Sequence, residues 1–127
     1  MSLPSAASAA IPRIFLSHSH KDHAFTARLA ADLKAAGAEV WVAEEEIAYD
    51  DFVKWINRGL AQSQWLVLVL SPDALTSEWV EMEVNAAINM VKQHRMRAVI
   101  PIVARPFAPH TIPPTWDNLH RYDATRD

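Results

Sequence analysis

The chain contains no cysteine. Disulfides, thiolate metal sites and a cysteine nucleophile are therefore excluded, and a reducing, cytoplasmic setting is expected. Glycine is nearly as scarce, with two residues against eight prolines. Neither G-x-G-x-x-G nor G-x-x-x-x-G-K-[ST] can be assembled, so phosphate cradles built on glycine runs are ruled out. No apolar run approaches the roughly 18 to 20 residues that a membrane span needs. Residues 1–10 lack the basic start and long apolar stretch of a secretory signal. Positive charge is not in excess either: 12 basic against 15 acidic residues leave a net charge of -3. That argues against direct binding of nucleic acid, which calls for a basic face.

What is present fits one globular domain. The chain has 127 residues, half of them apolar and 21% charged, too ordinary a mixture for a disordered segment. Residues 1–12 read as a flexible N-terminal arm stopped by Pro12, and residues 13–127 as the domain. Arg13-Ile14-Phe15-Leu16-Ser17 is a short β-rich run. Phe25, Leu29 and Leu33 then recur at every fourth position, which predicts a helix ended by Gly37. Residues 38–42 read as a second strand and 51–62 as a second helix. Residues 65–70 are apolar at every position, as in a parallel strand covered on both faces. A long helix is predicted over 78–94, with Thr76 or Ser77 as its cap and Glu78 and Glu81 near its positive end.

Residues 98–103 form a fourth strand, in which Pro101 signals a bulge or an edge. Residues 105–114 hold four prolines and should be mostly irregular, and 119–123 reads as a short last strand. Alternating strands and helices give an α/β, flavodoxin-like three-layer fold with a five-stranded parallel sheet of order 2-1-3-4-5. Ligands of such sheets sit beyond the carboxyl ends of the strands. Three loops meet there: 17–22, 44–51 and 71–77.

One carboxylate breaks the pattern. On a helical wheel, Trp79, Val80, Val84, Ala86, Ala87, Met90 and Val91 form an apolar arc, with Glu81, Asn85, Asn89, Lys92 and Gln93 opposite. Glu83 falls inside the apolar arc, four residues after Trp79 and on the same side. An ionised carboxylate on a core-facing side costs several kcal/mol unless it is paired or lines a cavity. The structural alternative is a carboxylate satisfied by Arg13, Lys21 or a loop amide. The functional one is a carboxylate beside an aromatic platform, suited to a ligand with a flat ring and a sugar.

Four segments carry a family resemblance. Arg13-Ile-Phe-Leu-Ser-His-Ser-His-Lys-Asp22 resembles the first box of bacterial Toll/interleukin-1 receptor (TIR) domains. Gly59-Leu-Ala-Gln-Ser63 with Val67-Leu-Val-Leu-Ser-Pro72 is similar to the family's G-L-x-x-S and V-V-V-L-S-P stretch. Ser77-Glu-Trp79-Val80-x-x-Glu83 matches S-x-W-[CV]-x-x-E, and Val99-Ile-Pro-Ile-Val103 matches its fourth strand. The similarity spans about 13–123.

The resemblance implies an NAD+ nucleosidase that takes NAD+ as substrate and needs no cofactor or metal, with Glu83 as the catalytic carboxylate. It places Trp79, Ser17, His18, Ser19, Tyr49 and Phe52 around the substrate. Tyr49-Asp50-Asp51 stands where the family commonly has Pro-Gly-Asp. The resemblance further implies self-association with other TIR domains, filaments included. It also implies a sensor domain fused outside this chain and a role in bacterial anti-phage immunity.

Two other classes compete. Many TIR domains are non-catalytic interaction modules. His18-x-His20-x-Asp22-His23 also spells the zinc motif H-x-H-x-D-H of metallo-β-lactamase-like hydrolases. A response-regulator receiver shares the fold class, but needs acids where His18 and Ser71 stand and a lysine where Ala104 stands.

Overall fold

The computed structural model describes residues 11–42 and 49–125, without the side chains of 49–52. The predicted N-terminal arm lies almost wholly outside the described residues, as does Glu44-Glu45-Glu46. Five parallel strands form one sheet of order β2-β1-β3-β4-β5. They are β1 (Arg13–Ser17), β2 (Glu39–Val42), β3 (Trp65–Leu70), β4 (Ala98–Val103) and β5 (Tyr122–Asp123). The connecting helices are α1 (His23–Ala35), α2 (Tyr49–Gln62), the single turn α3 (Pro72–Leu75), α4 (Glu78–Lys92) and the short α5 (Pro114–Asp117). This is the predicted fold and strand order.

Period-two alternation divides the sheet into two faces. Phe15, Leu66, Leu68 and Leu70 point to one side, where they pack with Ile56 and Leu60 of α2, Val80, Val84, Ala87 and Met90 of α4, and Trp116. Ile14, Leu16 and Val67 point to the other, against Ala30, Leu29 and Leu33 of α1. On α1 the predicted stripe is shallower than expected: Phe25, Leu29 and Leu33 are half-buried, and the buried positions are Thr26 and Ala30. Small side chains at 26 and 30 let the helix approach the sheet closely, which pushes the larger neighbours to the flanks. Gly37, at φ 103, turns the chain after α1 in the left-handed conformation that glycine adopts without strain.

Gly59 has a different role. A Cβ there would come within 2.4 Å of the Trp41 indole nitrogen, so its absence lets α2 lie on Trp41, whose ring meets Trp55 at a centroid distance of 4.6 Å. Trp41 and Trp65 are each half-buried. Pro101 pairs in register with Leu68, while β5 joins β4 only at Ile102 and Val103. Among the described residues the first part of β4 is therefore an edge, where a missing N–H removes no ladder bond. Helix α4 ends at Lys92, two residues before the predicted end. There the His94 N–H bonds Val91 O and the Arg95 N–H bonds Met90 O, the paired capping bonds of a Schellman turn. No described helix is long and apolar enough to cross a membrane.

Candidate active site

The loop ends of β1 and β3 and the first turns of α4 converge at the carboxyl edge of the sheet. Ser17 ends β1 on the face occupied by Phe15, which is the α4 face. Helix α4 is set by Ser77, whose side chain accepts a hydrogen bond from the Val80 N–H at 3.2 Å. That start places Val80, Glu83, Val84, Ala87 and Met90 inward, with Glu81, Asn85, Asn89 and Lys92 exposed. Glu83 is 1% exposed, among the most buried side chains of the protein. Its Oε1 accepts a 2.7 Å hydrogen bond from Ser17 Oγ, itself fully buried. A charged acceptor makes this one of the stronger kinds of hydrogen bond, and it fixes the carboxylate against the end of β1.

The two cationic partners considered for Glu83 are engaged elsewhere. Arg13 Nε meets Glu39 Oε2 at 3.2 Å, and Lys21 Nζ meets Asp73 Oδ1 at 3.6 Å. One helical turn before Glu83, Trp79 is half-buried and lines an open groove of about 280 Å³. Ser19, His20, Lys21, Asp73 and Ser77 line the same groove. The groove thus joins an aromatic wall to hydroxyl, cationic and acidic groups, and Glu83 is buried one helical turn along α4 from Trp79.

Ser19 and His18 are also brought here. Ser19 caps a 3-10 turn (His20–Asp22) by accepting from the Lys21 N–H. His18 is 8% exposed and its Nδ1 has no hydrogen-bond partner among the described residues. Burial, and then the neighbouring His23, push the His18 imidazolium below its usual range. Tyr49 and Phe52 belong to the first turn of α2, but their side chains lie outside the described residues.

A charge network beneath the groove was not anticipated. Asp22 is 5% exposed and accepts from Ser71 Oγ and from Arg105 Nε, the latter at 2.9 Å. Arg105 Nη2 reaches across to Asp73, which Lys21 also approaches. The Arg105 hydrogen bond, helped by Lys21, holds the Asp73 carboxyl below the ordinary carboxylate range, and the two acids push the guanidinium of Arg105 above its own. Only one sequence signal pointed this way: Arg105 stands two residues past β4, at the sheet edge shared by the loops that hold Asp22 and Asp73.

The same network bears on the zinc reading. Asp22 is committed to Ser71 and Arg105, and no three histidine or acidic side chains converge as a metal site among the described residues. Among the described residues, the H-x-H-x-D-H string gathers no ligand set.

Comparison with known proteins bears on the family and the fold. The family model for the TIR domain matches residues 14–127. The chain is 36% identical over 98 residues to the NAD(+) hydrolase PdTIR of Paracoccus denitrificans, covering 70% of this chain and 30% of that protein. It is 33% identical over 76 residues to the 2′ cyclic ADP-D-ribose synthase BtTIR of Bacteroides thetaiotaomicron, covering 58% and 26% respectively. The chain therefore spans less than a third of the length of these curated relatives. Among solved structures, the TIR domain of the Toll-related receptor TRR-2 of Hydra magnipapillata superposes with a TM-score of 0.73 at 17% identity. That match covers 89% of this chain and 84% of the other, and at such low identity it bears on the fold alone. With the motif boxes, the strand order and the family match in agreement, this chain belongs to the TIR domain family.

Proposed function

We propose that this TIR domain cleaves the nicotinamide–ribose bond of NAD+, with Glu83 as the catalytic carboxylate. The observation that carries this reading is the burial of Glu83 at the carboxyl edge of the sheet, held by Ser17 and one helical turn along α4 from Trp79, which lines the groove. The names of the PdTIR and BtTIR relatives support it.

The chemistry suits a lone acid. Breaking the C1′–N bond sends the bonding electron pair to nicotinamide, which departs neutral and needs no proton. The ribosyl group is left as an oxocarbenium-like cation. A carboxylate in a water-poor site stabilises that charge and accepts from the ribose hydroxyls. Capture by water gives ADP-ribose and releases a proton; capture by an atom of the same molecule gives a cyclic isomer. Trp79 would stack on a flat ring, a contribution of about 1 kcal/mol. Ser17 orients Glu83, and Ser19 and His18 shape the loop beside it. Tyr49 and Phe52 are proposed to close the other side.

Because Glu83 is only 1% exposed, a ribose reaches it only after side chains between it and the groove rearrange. We assign that opening to association with further TIR domains, in filaments or smaller stacks, so the isolated domain is weakly active. In this reading the chain is the cytoplasmic effector part of a bacterial immune protein whose sensor lies outside it. The test is incubation with NAD+ under crowding, with mass analysis of the products. Nicotinamide release that disappears in Glu83→Ala, with the fold retained, supports the assignment. Turnover at the parental rate in that variant overturns the role of Glu83, and absence of nicotinamide release from the assembled parent leaves the interaction-module reading.

A further inference from the structure

At the opposite end of the sheet, the start of β3, the start of β4 and the end of α4 border a second, largely open concavity of about 670 Å³. Gln64, Trp65, Val91, His94, Arg95, Met96 and Arg97 line it. Trp65 and Val91 are half-buried and Met96 is 5% exposed, so the floor is aromatic and apolar. His94, Arg95 and Arg97 stand exposed on its rim. The Arg97 guanidinium lies 5.9 Å from the centre of the Trp65 ring.

The charge pattern here is unusual for an acidic chain. From residue 84 to residue 116 there is no Asp or Glu, while Lys92, Arg95, Arg97 and Arg105 all fall in that interval. Arg105 is consumed by Asp22 and Asp73. Among the described residues, Arg95 and Arg97 make no ion pair; Arg95 Nη1 donates to Gln93 Oε1 at 3.3 Å. Cations in the last turn of a helix complement its dipole, which accounts for Lys92. Arg97 lies beyond the helix, with its guanidinium over the Trp65 ring.

His94 supplies an independent observation. It is the one described non-glycine residue at positive φ, 59°, at the position of a Schellman turn where glycine is the inexpensive choice. An L residue there is strained relative to glycine. The backbone thus tolerates strain to hold an imidazole on the rim of this concavity.

We propose that this concavity is a second ligand site, remote from Glu83, that takes a nucleoside phosphate. The base lies against Trp65 and the Met96 floor, and the phosphates meet Arg95, Arg97 and His94. The size falls in the range of small-molecule sites, and guanidinium groups are the side chains best matched to phosphate oxygens. An acidic protein segment would need a longer trough and gains nothing from the aromatic floor. This assignment does not depend on the NAD+ reading of the other end.

ADP is the probe, titrated into the full chain with affinity read by calorimetry and location by amide and indole resonances. ADP is expected to shift residues 64–65 and 94–97 and the Trp65 indole. It should bind more tightly than adenosine or inorganic phosphate alone. Arg95→Ala/Arg97→Ala, both exposed and outside the core, should weaken ADP by roughly tenfold or more, the scale of a lost charge-assisted contact. His94→Gly should raise the melting temperature and yet weaken ADP, a combination that a purely structural histidine would not produce. Shifts confined to residues 17–22 and 77–79, unchanged affinity in the double variant, or binding of an oligoglutamate peptide without ADP would each overturn the proposal.

Discussion

Replacing Ser17 by alanine tests the geometry of the candidate site directly. Ser17 is fully buried and Glu83 is 1% exposed, so water cannot take over the donor role of the hydroxyl. The lost bond is hydroxyl to carboxylate at 2.7 Å. Hydrogen bonds to charged groups contribute about 1.5–3 kcal/mol, and an acceptor left buried bears the desolvation penalty as well. We expect Ser17→Ala to lose about 2 kcal/mol of unfolding free energy in urea, with an unchanged m-value. For a domain of this size that lowers the melting temperature by roughly 5–10 °C.

Glu83→Gln is the matched control. Its amide oxygen still accepts from Ser17, the volume is unchanged and a buried charge is gone. Its stability should stay near or above that of the parent while nicotinamide release is lost. A double-mutant cycle of Ser17→Ala with Glu83→Ala, which removes the acceptor, should give a coupling of at least about 1 kcal/mol. If Ser17→Ala costs under about 0.5 kcal/mol, or the coupling is absent, Ser17 does not hold the carboxylate and the site geometry argued above fails.

Other consequences are equally accessible. Arg105→Ala removes the guanidinium shared by Asp22 and Asp73. With Asp22 buried but Arg105 itself partly exposed, a loss of about 1–3 kcal/mol is expected by urea unfolding, and restoration by Arg105→Lys should be incomplete because one ammonium cannot span both acids as the planar fork does. Gly59→Ala should lower stability by about 1–3 kcal/mol, although alanine favours helix, because the new methyl meets the Trp41 ring; an increase in melting temperature would refute the close packing. The His18 imidazolium is disfavoured in the folded state relative to its usual 6.5. The unfolded chain therefore binds more protons between that value and the lower folded one. The His18 contribution is complete above about pH 6.5 and declines as pH falls, with a slope of at most about 1.4 kcal/mol per pH unit. His18→Gln should flatten that part of the stability profile, and an unchanged profile would show that His18 is not buried neutral.

Local patterns were enough to read much of this protein. β1, β3 and β4 follow from uninterrupted apolar runs, which occur where both faces of a parallel strand are covered. The inward face of α4 follows from its periodicity, and Glu83 stood out because one carboxylate violated that pattern. The shallower seating of α1 did not follow, because periodicity marks the large apolar residues and cannot say that Thr26 and Ala30 set the approach distance.

The candidate site divides in the same way. The composition and spacing of one helix were sufficient to single out Glu83 and Trp79, since both lie on a single element whose geometry is regular. Only the folded chain brings Ser17 to Glu83, across 66 positions, and gives Asp22 its arginine from 83 positions away. Those pairings depend on strand order and helix depth, which no window of sequence contains. The H-x-H-x-D-H string shows the converse: spacing along the chain suggested a metal site, while the fold turns His20–Asp22 into a 3-10 turn and commits Asp22 to Ser71 and Arg105, and no ligand set gathers among the described residues. Periodicity reports which way a side chain points; what it meets there is decided by packing between elements far apart in the chain.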